Sequence, residues 1–305
     1  MTHGTHEYER DPRNDSILIS VNGELVPRAL AVVSVFDSGF ILGDGVWEGI
    51  RLHHGRLAFA EAHLDRLYEG AKAIDLDIGM EPEELAGRIL HCTAANGMTS
   101  DVHIRVMITR GIKATPYQDP RATIGGPTIV IIPEYKRPKP EVADRGMRLF
   151  TVHVRRGAPD VQDPKWNSHS KLNCIAACIQ ATKAGVDEAL MLDPDGFVAT
   201  CNSTHFFIVR GTEVWTSTGD YCLQGITRAN VLDLCRRHQV PAHEKRFSLT
   251  QVYSADEAFV TGTFAGLVPV VEVDGRSIGD RTMGPLTRTL RQWYAELMDE
   301  ECPAP

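Results

Sequence analysis

Turn dipeptides set between short apolar runs constrain the fold of this chain more than any other feature of its sequence. Asn22-Gly23 interrupts the run "SILISVNGELV", and Asn-Gly is the strongest short-range signal for a β-hairpin. His54-Gly55 and Asp274-Gly275 hold similar places in "GVWEGIRLHHGRLAFA" and "VEVDGRSI". Such turns join neighbouring antiparallel strands, so we predict hairpins in both halves of the chain.

Helical periodicity distinguishes the two halves. In the first half, "AEAHLDRLYEGAKAI" and "PEELAGRILHCTAANGM" carry apolar residues at helical spacing, with strand signals on either side. The second half is richer in strand signals, with a helix predicted in "TRANVLDLCRRHQ". We therefore predict an α/β (α+β) fold with a small N-terminal α/β domain at residues 1–135 and a larger β-rich C-terminal domain at 147–305. The proline-rich and charged stretch at 136–146 is predicted to be an exposed linker.

Composition narrows the class of protein. The 305 residues carry a net charge of −8, which opposes a nucleic-acid or anionic-membrane partner. No apolar run approaches the length of a membrane span, and the polar N-terminus has no apolar signal core, so we expect a cytoplasmic protein. Seven cysteines without a C-x-x-C pair suit a reducing compartment. Cys174 and Cys178 would share a helix face, where we expect a buried, reduced pair.

Two glycine-threonine bends suggest a phosphate site. Gly225, Ile226 and Thr227 stand at the start of the helix predicted in "LQGITRANVLDLC", where unpaired backbone N–H groups favour an anion. An ordinary threonine N-cap would explain this motif alone. A second bend, Gly262-Thr263, and Arg51 in "WEGIR" could complete a phosphate cup. The glycines of "GDGVWEG" are followed by strand-type residues, which argues against a dinucleotide-binding turn.

The blocks "LGDGVWEGIR", "QGITRANVL" and "FVTGTFAGLVPV", in this order, resemble the fold-type IV pyridoxal-phosphate enzymes. This family includes branched-chain and D-amino-acid aminotransferases and aminodeoxychorismate lyase. The resemblance runs from about residue 17 to about 297 and implies a two-domain homodimer with pyridoxal phosphate held between the domains. It assigns the phosphate to Arg51, Ile226, Thr227 and Thr263, with Gly262 in the second bend.

One departure from the family pattern falls on the partner of the pyridine nitrogen. The stretch that reads G-Y/F-V-S/T-E-G in the family aligns without gaps with "GFVATC", which places Thr200 at the glutamate position. A carboxylate keeps the pyridine nitrogen protonated and the ring a strong electron sink, whereas a threonine hydroxyl holds that charge less well. Transamination should therefore be harder, and elimination or racemisation becomes relatively more credible.

The second departure concerns the lysine that forms the Schiff base. Family members resemble K-S-L-N-Y-L-N-N-I-L-A-K-I-E-A, and an ungapped alignment of "NSHSKLNCIAACIQATKAG" places Asn167 at the lysine position. Asn167 precedes Thr200 by 33 residues, in agreement with the family, whereas Lys171 precedes it by 29. In one interpretation Lys171 serves as a shifted Schiff-base lysine after a Ser170 cap, with its pKa lowered by the helix dipole. In the other, the chain has no Schiff-base lysine, and Lys171 is a structural, substrate-binding or surface charge; Lys165 is a weaker candidate.

The resemblance also suggests residues that meet the substrate. Arg105 matches a position near the substrate carboxylate in branched-chain enzymes, and Trp47 would form a bulky wall. The pair His53-His54 has no further ligand at metal spacing in the sequence, so we predict no metal site. The leading hypothesis is a transaminase acting between a small amino acid or amine and a 2-oxo acid. The alternatives are a homologue without Schiff-base chemistry, or a pyridoxal-phosphate lyase or racemase.

Overall fold

A computed structural model describes residues 4–304 of the chain, which divide into two compact units. The small unit consists of Arg10–Arg137, Trp166–Lys171 and Asp299–Pro305, and the large unit of Met1–Glu9, Pro138–Lys165 and Leu172–Met298. The segment Trp166–Lys171, which holds both candidate lysine positions, therefore belongs to the small unit.

The small unit is built on an antiparallel sheet covered by helices. Its strands are β1 (Leu18–Val21), β2 (Glu24–Pro27), β3 (Gly45–His53), β4 (Arg56–Leu57), β5 (Val102–Thr109), β6 (Ile112–Lys113), β7 (Thr123–Ile124) and β8 (Thr128–Tyr135). Its helices are α1 (Ser38–Leu42), α2 (Ala60–Ala73) and α3 (Pro82–Ala95), with short 3-10 helices at Pro12–Ser16, Arg28–Leu30 and Pro120–Ala122. Six strands form one sheet in the order β2-β1-β8-β5-β3-β4, and β6 pairs with β7 separately.

The turns predicted from dipeptides form as expected. Asn22 and Gly23 both have positive φ angles, 52° and 88°, in the turn between β1 and β2. His54 and Gly55, at 48° and 76°, do the same between β3 and β4. Asparagine and glycine tolerate this left-handed backbone better than most residues, which explains why the hairpin signal was reliable.

Apolar side chains of the sheet and of two helices form the core of the small unit. Leu64, Leu67 and Ala71 of α2 are buried in it, as the helical spacing predicts, and Ile74 packs at its edge. Strand residues of β3 and β5 alternate between this core and the opposite face of the sheet, so Val46, Ile50 and Leu52 point into the core. Residues at 47, 49 and 51 consequently share the other face.

The large unit is dominated by one mixed sheet. Its strands are β9 (Met147–Thr151), β10 (Glu188–Leu192), β11 (Val198–Cys201), β12 (His205–Arg210), β13 (Glu213–Thr216), β14 (Ala242–Glu244), β15 (Glu257–Gly262), β16 (Gly266–Val273) and β17 (Arg276–Ser277). They run in the order β11-β10-β9-β16-β15-β12-β13-β14, with β17 paired to β16. The helices are α4 (Pro140–Arg145), α5 (Pro159–Gln162), α6 (Leu172–Lys183), α7 (Ile226–Arg237), α8 (Leu249–Tyr253) and α9 (Pro285–Glu301), and the last residues of α9 belong to the small unit. A 3-10 helix covers Gly4–His6.

Two details differ from the sequence-based expectations. The stretch 136–146 contains α4, whose Val142 and Ala143 are buried, so it is not an exposed linker throughout. All seven cysteines are free, but Cys178 is exposed and Cys174 only partly buried, so the expected buried pair on α6 is wrong. The buried side of α6 is instead formed by Ala177 and Ala181. Within residues 4–304, none of the helices is both long and apolar enough to cross a membrane.

Candidate active site

The segment Trp166–Lys171, which carries Asn167 and Lys171, lies alongside β3. Ser168 forms an antiparallel bridge with Val46, and the backbone N–H of Trp47 donates to the carbonyl oxygen of Asn167 at 2.9 Å. The Trp47 indole N–H donates to the carbonyl of Ser168 at 3.2 Å. The segment therefore behaves as a short extra strand that fixes the backbone of Asn167 beside Trp47 of β3.

Asn167 and Lys171 are joined by their side chains. Asn167 is 5% exposed, and its Oδ1 accepts a hydrogen bond of 3.0 Å from Lys171 Nζ. The same ammonium group lies 5.4 Å from the centre of the Trp47 ring. Lys171 directly precedes α6, which begins at Leu172, one residue later than a Ser170 cap would require. The lysine amine is thus turned back toward the position where an ungapped family alignment expects a lysine.

A buried carboxylate lies beneath Asn167. Glu48 Oε1 is 3.4 Å from Asn167 Nδ2 and 2.7 Å from Arg66 Nε, and Glu48 Oε2 accepts from Arg66 NH2 and from His63 Nδ1, each at 2.7 Å. Burial alone would raise the pKa of Glu48, but the hydrogen bond from His63 and the adjacent Arg66 charge outweigh it and lower that pKa to about 2. Glu48 is therefore a fixed anion at neutral pH, and it orients the Asn167 amide by accepting from its N–H group.

No motif in the sequence marks Glu48, His63 or Arg66 as site residues. The signal that could have found them is positional, since Glu48 is a charged residue on the core-facing side of β3. His63 and Arg66 are spaced i, i+3 on α2 and so share one face of that helix.

Three basic residues, Arg51, Arg105 and Lys136, lie close together at the face of the β3–β5 region that is turned away from the core. The Arg105 guanidinium lies 4.0 Å from the centre of the Trp47 ring, and Arg51 NH1 donates to the carbonyl of Lys136 at 3.2 Å. Burial lowers the pKa of Arg105. Burial also lowers the pKa of Lys136, and the neighbouring charges of Arg105 and Arg51 lower it further against the opposing effect of Glu134. Like charges held this close, and partly desolvated, favour the binding of an anion. Lys136 was not predicted.

His169, which follows in the same segment, supports the backbone. Its ring Nε2 lies 3.1 Å from the carbonyl of Val46, to which it donates. Burial lowers the pKa of this histidine, so the neutral ring is favoured. Its place is that of a hydrogen-bonded support for β3.

In the large unit, both glycine-threonine bends lie where they were predicted. Gly225 is the N-cap of α7 and provides no side-chain cap, so the first backbone N–H groups of that helix, at Ile226 and Thr227, have no capping side chain to satisfy them. A side chain at Gly225 would lie 2.3 Å from the ring of His205, which explains the glycine. Gly262 ends β15 and pairs with Gly266, so that Thr263 occupies the turn between β15 and β16. Helix α7 packs against β15, which brings both bends into one part of the unit.

Thr227 and Thr200 are both buried. Thr227 is 3% exposed, and its hydroxyl lies 3.5 Å from the hydroxyl of Tyr294. Thr200, on β11, donates its hydroxyl proton to the carbonyl of Thr204 at 2.8 Å. The Thr200 oxygen is left to act as a neutral acceptor, which cannot balance a positive charge as a carboxylate would.

A second buried carboxylate, Glu188, lies on β10, the neighbour in the sheet of the strand β11 that carries Thr200. Glu188 on β10 accepts hydrogen bonds from Ser203 N and Oγ at 2.9 and 2.6 Å and from Thr204 Oγ1 at 3.0 Å. Burial raises the pKa of Glu188 despite these bonds. Its oxygens fix the 203–204 turn by accepting these hydrogen bonds, which explains why a carboxylate is buried at this position.

These residues fit part of what pyridoxal phosphate requires. The open N-terminus of α7 suits a phosphate group, and so does the cationic cluster of the small unit. A lysine amine is present at Lys171, next to the position that the family pattern assigns. The charged partner of the pyridine nitrogen does not fit, because Thr200 offers a neutral oxygen.

A two-unit fold with a glycine-capped α7, a glycine-threonine turn after β15 and a lysine beside β3 defines the class of fold-type IV aminotransferase-like proteins. The comparisons agree: the chain belongs to the class IV aminotransferases, whose family model, described as "Amino-transferase class IV", matches residues 45–273.

Similar proteins carry aminotransferase names. The chain is 42% identical to a branched-chain-amino-acid aminotransferase-like protein 2 of Arabidopsis thaliana, over 94% of this chain and 51% of the relative. It is 39% identical to a putative branched-chain-amino-acid aminotransferase of Methanocaldococcus jannaschii, over 92% and 96% of the two chains. A solved structure of a branched-chain amino acid aminotransferase of T.th. with pyridoxamine 5'-phosphate matches with a TM-score of 0.88 and 31% identity, over 94% and 96% of the two chains. The chain spans about half the length of its Arabidopsis relatives.

Proposed function

We propose that this protein is a pyridoxal-phosphate-dependent transaminase that moves an amino group between a small amino acid or amine and a 2-oxo acid. Membership of the class IV aminotransferases supports the reaction class. The names of relatives, which include branched-chain and D-alanine aminotransferases, support amino-acid and 2-oxo-acid substrates. Bound pyridoxal phosphate supplies the electron sink that amino transfer requires.

The observation that carries this proposal is the hydrogen bond from Lys171 Nζ to Asn167 Oδ1. Asparagine is a short side chain, whereas lysine carries its amine on a flexible four-carbon stem. Lys171 starts one helical turn further along the chain and reaches back past the aligned position, so its amine can occupy the place of the family lysine. We therefore assign to Lys171 both the attachment of the cofactor and the movement of the proton at the substrate carbon.

The other roles follow unit by unit. In the large unit, the N–H groups of Ile226 and Thr227, the Thr227 hydroxyl and the Gly262-Thr263 turn hold the phosphate. In the small unit, Arg51 adds a donor to the phosphate, Arg105 meets the substrate carboxylate, and Trp47 forms a wall against the substrate side chain. Thr200 faces the pyridine nitrogen as an acceptor, which weakens the electron sink and lowers the rate of transamination relative to a glutamate-bearing enzyme.

We further propose a cytoplasmic homodimer whose two units act as the small α/β and larger β-rich domains. Its support is a run of exposed apolar side chains in the small unit, where a soluble monomer rarely leaves a contiguous apolar patch uncovered. This run comprises Leu30, Val32, Val33, Val35, Phe36, Phe40 and Leu42. The free state of all seven cysteines agrees with a reducing compartment.

The test is to add pyridoxal phosphate to the purified chain, record its visible spectrum, reduce with borohydride and map the labelled peptide. We expect an absorption band that borohydride removes, with the label on Lys171, and amino transfer to a 2-oxo acid when amino donors are screened. Lys171→Ala should abolish the label, and Lys165→Ala serves as the matched control because it removes a lysine from the preceding loop.

Three results would overturn the proposal. Absence of a band and of any labelled lysine would mean that the fold works without covalently held cofactor. A label on Lys165 would move the catalytic amine to a different residue. A labelled Lys171 with elimination or racemisation in place of amino transfer would keep the cofactor and replace the reaction.

A further inference from the structure

The turn between β3 and β4 carries two adjacent histidines beside the C-terminal end of α9. His53 Nε2 lies 2.8 Å from Asp299 Oδ1. One potential ligand atom from each of His53, His54 and Asp299 lies within 4.8 Å of the other two. The third residue stands 246 positions after His53, which is why the sequence alone shows only a histidine pair without a further ligand.

The orientation of His54 is the one that metal-bound histidines usually have. Its Nδ1 lies 2.9 Å from the carbonyl oxygen of Cys302. A carbonyl oxygen can only accept, so Nδ1 carries the proton and Nε2 keeps its lone pair. A backbone carbonyl that fixes the tautomer in this way is a typical outer partner of a coordinating histidine.

The hairpin turn is held in place on one side. The backbone N–H of His54 donates to Ser100 Oγ at 2.9 Å, and that of Gly55 donates to the carbonyl of Thr99 at 2.6 Å. The two histidines therefore project from a turn whose backbone is tied to the 99–100 segment.

The end of α9 is held against the same hairpin. Glu301 Oε1 accepts from the backbone N–H of Phe59 at 3.2 Å, and the Cys302 thiol is buried 3.9 Å from the carbonyl of Arg56. Glu301 and Cys302 are thus engaged with the residues that follow the turn, and Asp299 is presented to the histidines from a fixed helix end. The acidic sequence "MDEE" around it raises the local attraction for a cation.

We propose that His53, His54 and Asp299 form a binding site for a divalent transition-metal ion, with Zn²⁺ as the best match. Two imidazole nitrogens and one carboxylate oxygen are ligands that Zn²⁺ accepts, with water completing the coordination. Mg²⁺ and Ca²⁺ prefer sites made of oxygen, so this set discriminates against them. The bound ion joins the β3–β4 turn to the end of α9 and so fastens the C-terminal segment to the small unit. The site is independent of the proposed transaminase activity.

The experiment is Zn²⁺ titration of the full, untagged chain by calorimetry, with hydrogen exchange of residues 299–304 measured with and without the ion. We expect one Zn²⁺ per chain and slower exchange of the C-terminal segment on binding. His54→Asn and Asp299→Ala should each weaken Zn²⁺ binding by about tenfold or more, the scale at which even outer-shell partners of metal sites act. Mg²⁺ should not compete.

Two variants serve as matched controls. Glu300→Gln removes an equal charge one residue from Asp299, and His91→Asn removes an exposed histidine from α3; both should leave Zn²⁺ affinity unchanged. Circular dichroism without metal shows whether each variant is folded. The proposal is overturned if the chain binds no Zn²⁺, if Asp299→Ala binds it as well as the wild type, or if Glu300→Gln weakens binding as much as Asp299→Ala does.

Discussion

The buried carboxylate Glu48 offers a quantitative test of the small unit. Its pKa is lowered from 4.5 to about 2 because His63 and Arg66 hold its charged form more strongly than burial opposes it. A carboxyl group with a lowered folded-state pKa contributes stability above its unfolded pKa and loses that contribution as the pH falls toward the folded value. At about 1.4 kcal/mol per pKa unit, the contribution is about 3 kcal/mol at neutral pH and about 2 kcal/mol at pH 3.5.

The perturbation is Glu48→Gln, which keeps the shape of the side chain and removes its charge. We expect the variant to unfold about 3 kcal/mol more easily than the wild type at pH 7, in the range found when one partner of a buried ion pair is removed. The difference should narrow by about 1 kcal/mol at pH 3.5, because the wild type then loses stability that the variant never had. Urea unfolding followed by tryptophan fluorescence and circular dichroism at both pH values measures the two differences.

The decisive quantity is how the difference in unfolding free energy between wild type and variant changes with pH. The glutamine amide makes hydrogen bonds of its own, which add the same offset to this difference at both pH values. Glu69→Gln, on the exposed side of α2, is the control and should change stability by less than about 0.5 kcal/mol at either pH. A wild-type-to-variant difference that stays the same from pH 7 to pH 3.5 would show that Glu48 does not titrate far below its ordinary range, and the charge network would have to be rejected.

Two further substitutions test the large unit. Gly225→Ala should destabilise the protein by about 1–3 kcal/mol, because its new methyl group would lie 2.3 Å from the ring of His205. Gly87→Ala should instead stabilise the protein by about 0.5–1 kcal/mol, because Gly87 lies in the middle of α3 and a methyl group there would meet open space. Thermal melts of the two variants and the wild type measure both effects. Thr200→Ala should cost about 1 kcal/mol through the lost hydrogen bond to the Thr204 carbonyl, and it should shift the spectrum of the bound cofactor because the pyridine nitrogen loses its acceptor; an unchanged spectrum would show that Thr200 does not face that nitrogen.

Much of the fold follows from local sequence signals. The turns at Asn22-Gly23 and His54-Gly55 could be predicted because their backbone conformation is favoured by few residues, and α2 because its apolar side chains repeat at helical spacing. Helix α4 could not, because a short segment that begins with a proline and carries charges is stabilised by burying Val142 and Ala143 rather than by local propensity.

The candidate site was predictable only where one segment carries the signal. The α7 N-terminus and the Gly262-Thr263 turn lie in continuous motifs that could be recognised. The partners of Glu48 come from α2, and the third member of the His53-His54 cluster comes from α9, so both depend on tertiary packing that brings distant residues together. Periodicity along a single element contains no information about such contacts.

The remaining question is which position supplies the catalytic amine, and a lysine exchange answers it. In Lys171→Ala the amine is removed, and we expect no lysine to carry the pyridoxal-phosphate label after borohydride reduction. In the double variant Asn167→Lys with Lys171→Ala, the amine is carried by residue 167, the position that the family alignment assigns to the lysine. This side chain lies beside the ionised Glu48, which in the wild type accepts a hydrogen bond from Asn167. The backbone at 167 is fixed by its bond from Trp47, so a longer side chain should project from the same place.

We expect the double variant to regain the label at position 167 together with at least part of the amino-transfer activity. The single variant Asn167→Ala removes the hydrogen bond that orients the Lys171 amine but keeps the amine itself. We therefore expect the label still to be found on Lys171, with a slower rate of labelling. If the double variant folds but takes no label, position 167 does not face the cofactor, and the ungapped alignment that places a missing lysine at Asn167 is wrong. If Lys171→Ala alone still takes a label, the catalytic amine belongs to another lysine, and the 3.0 Å bond to Asn167 is a structural contact.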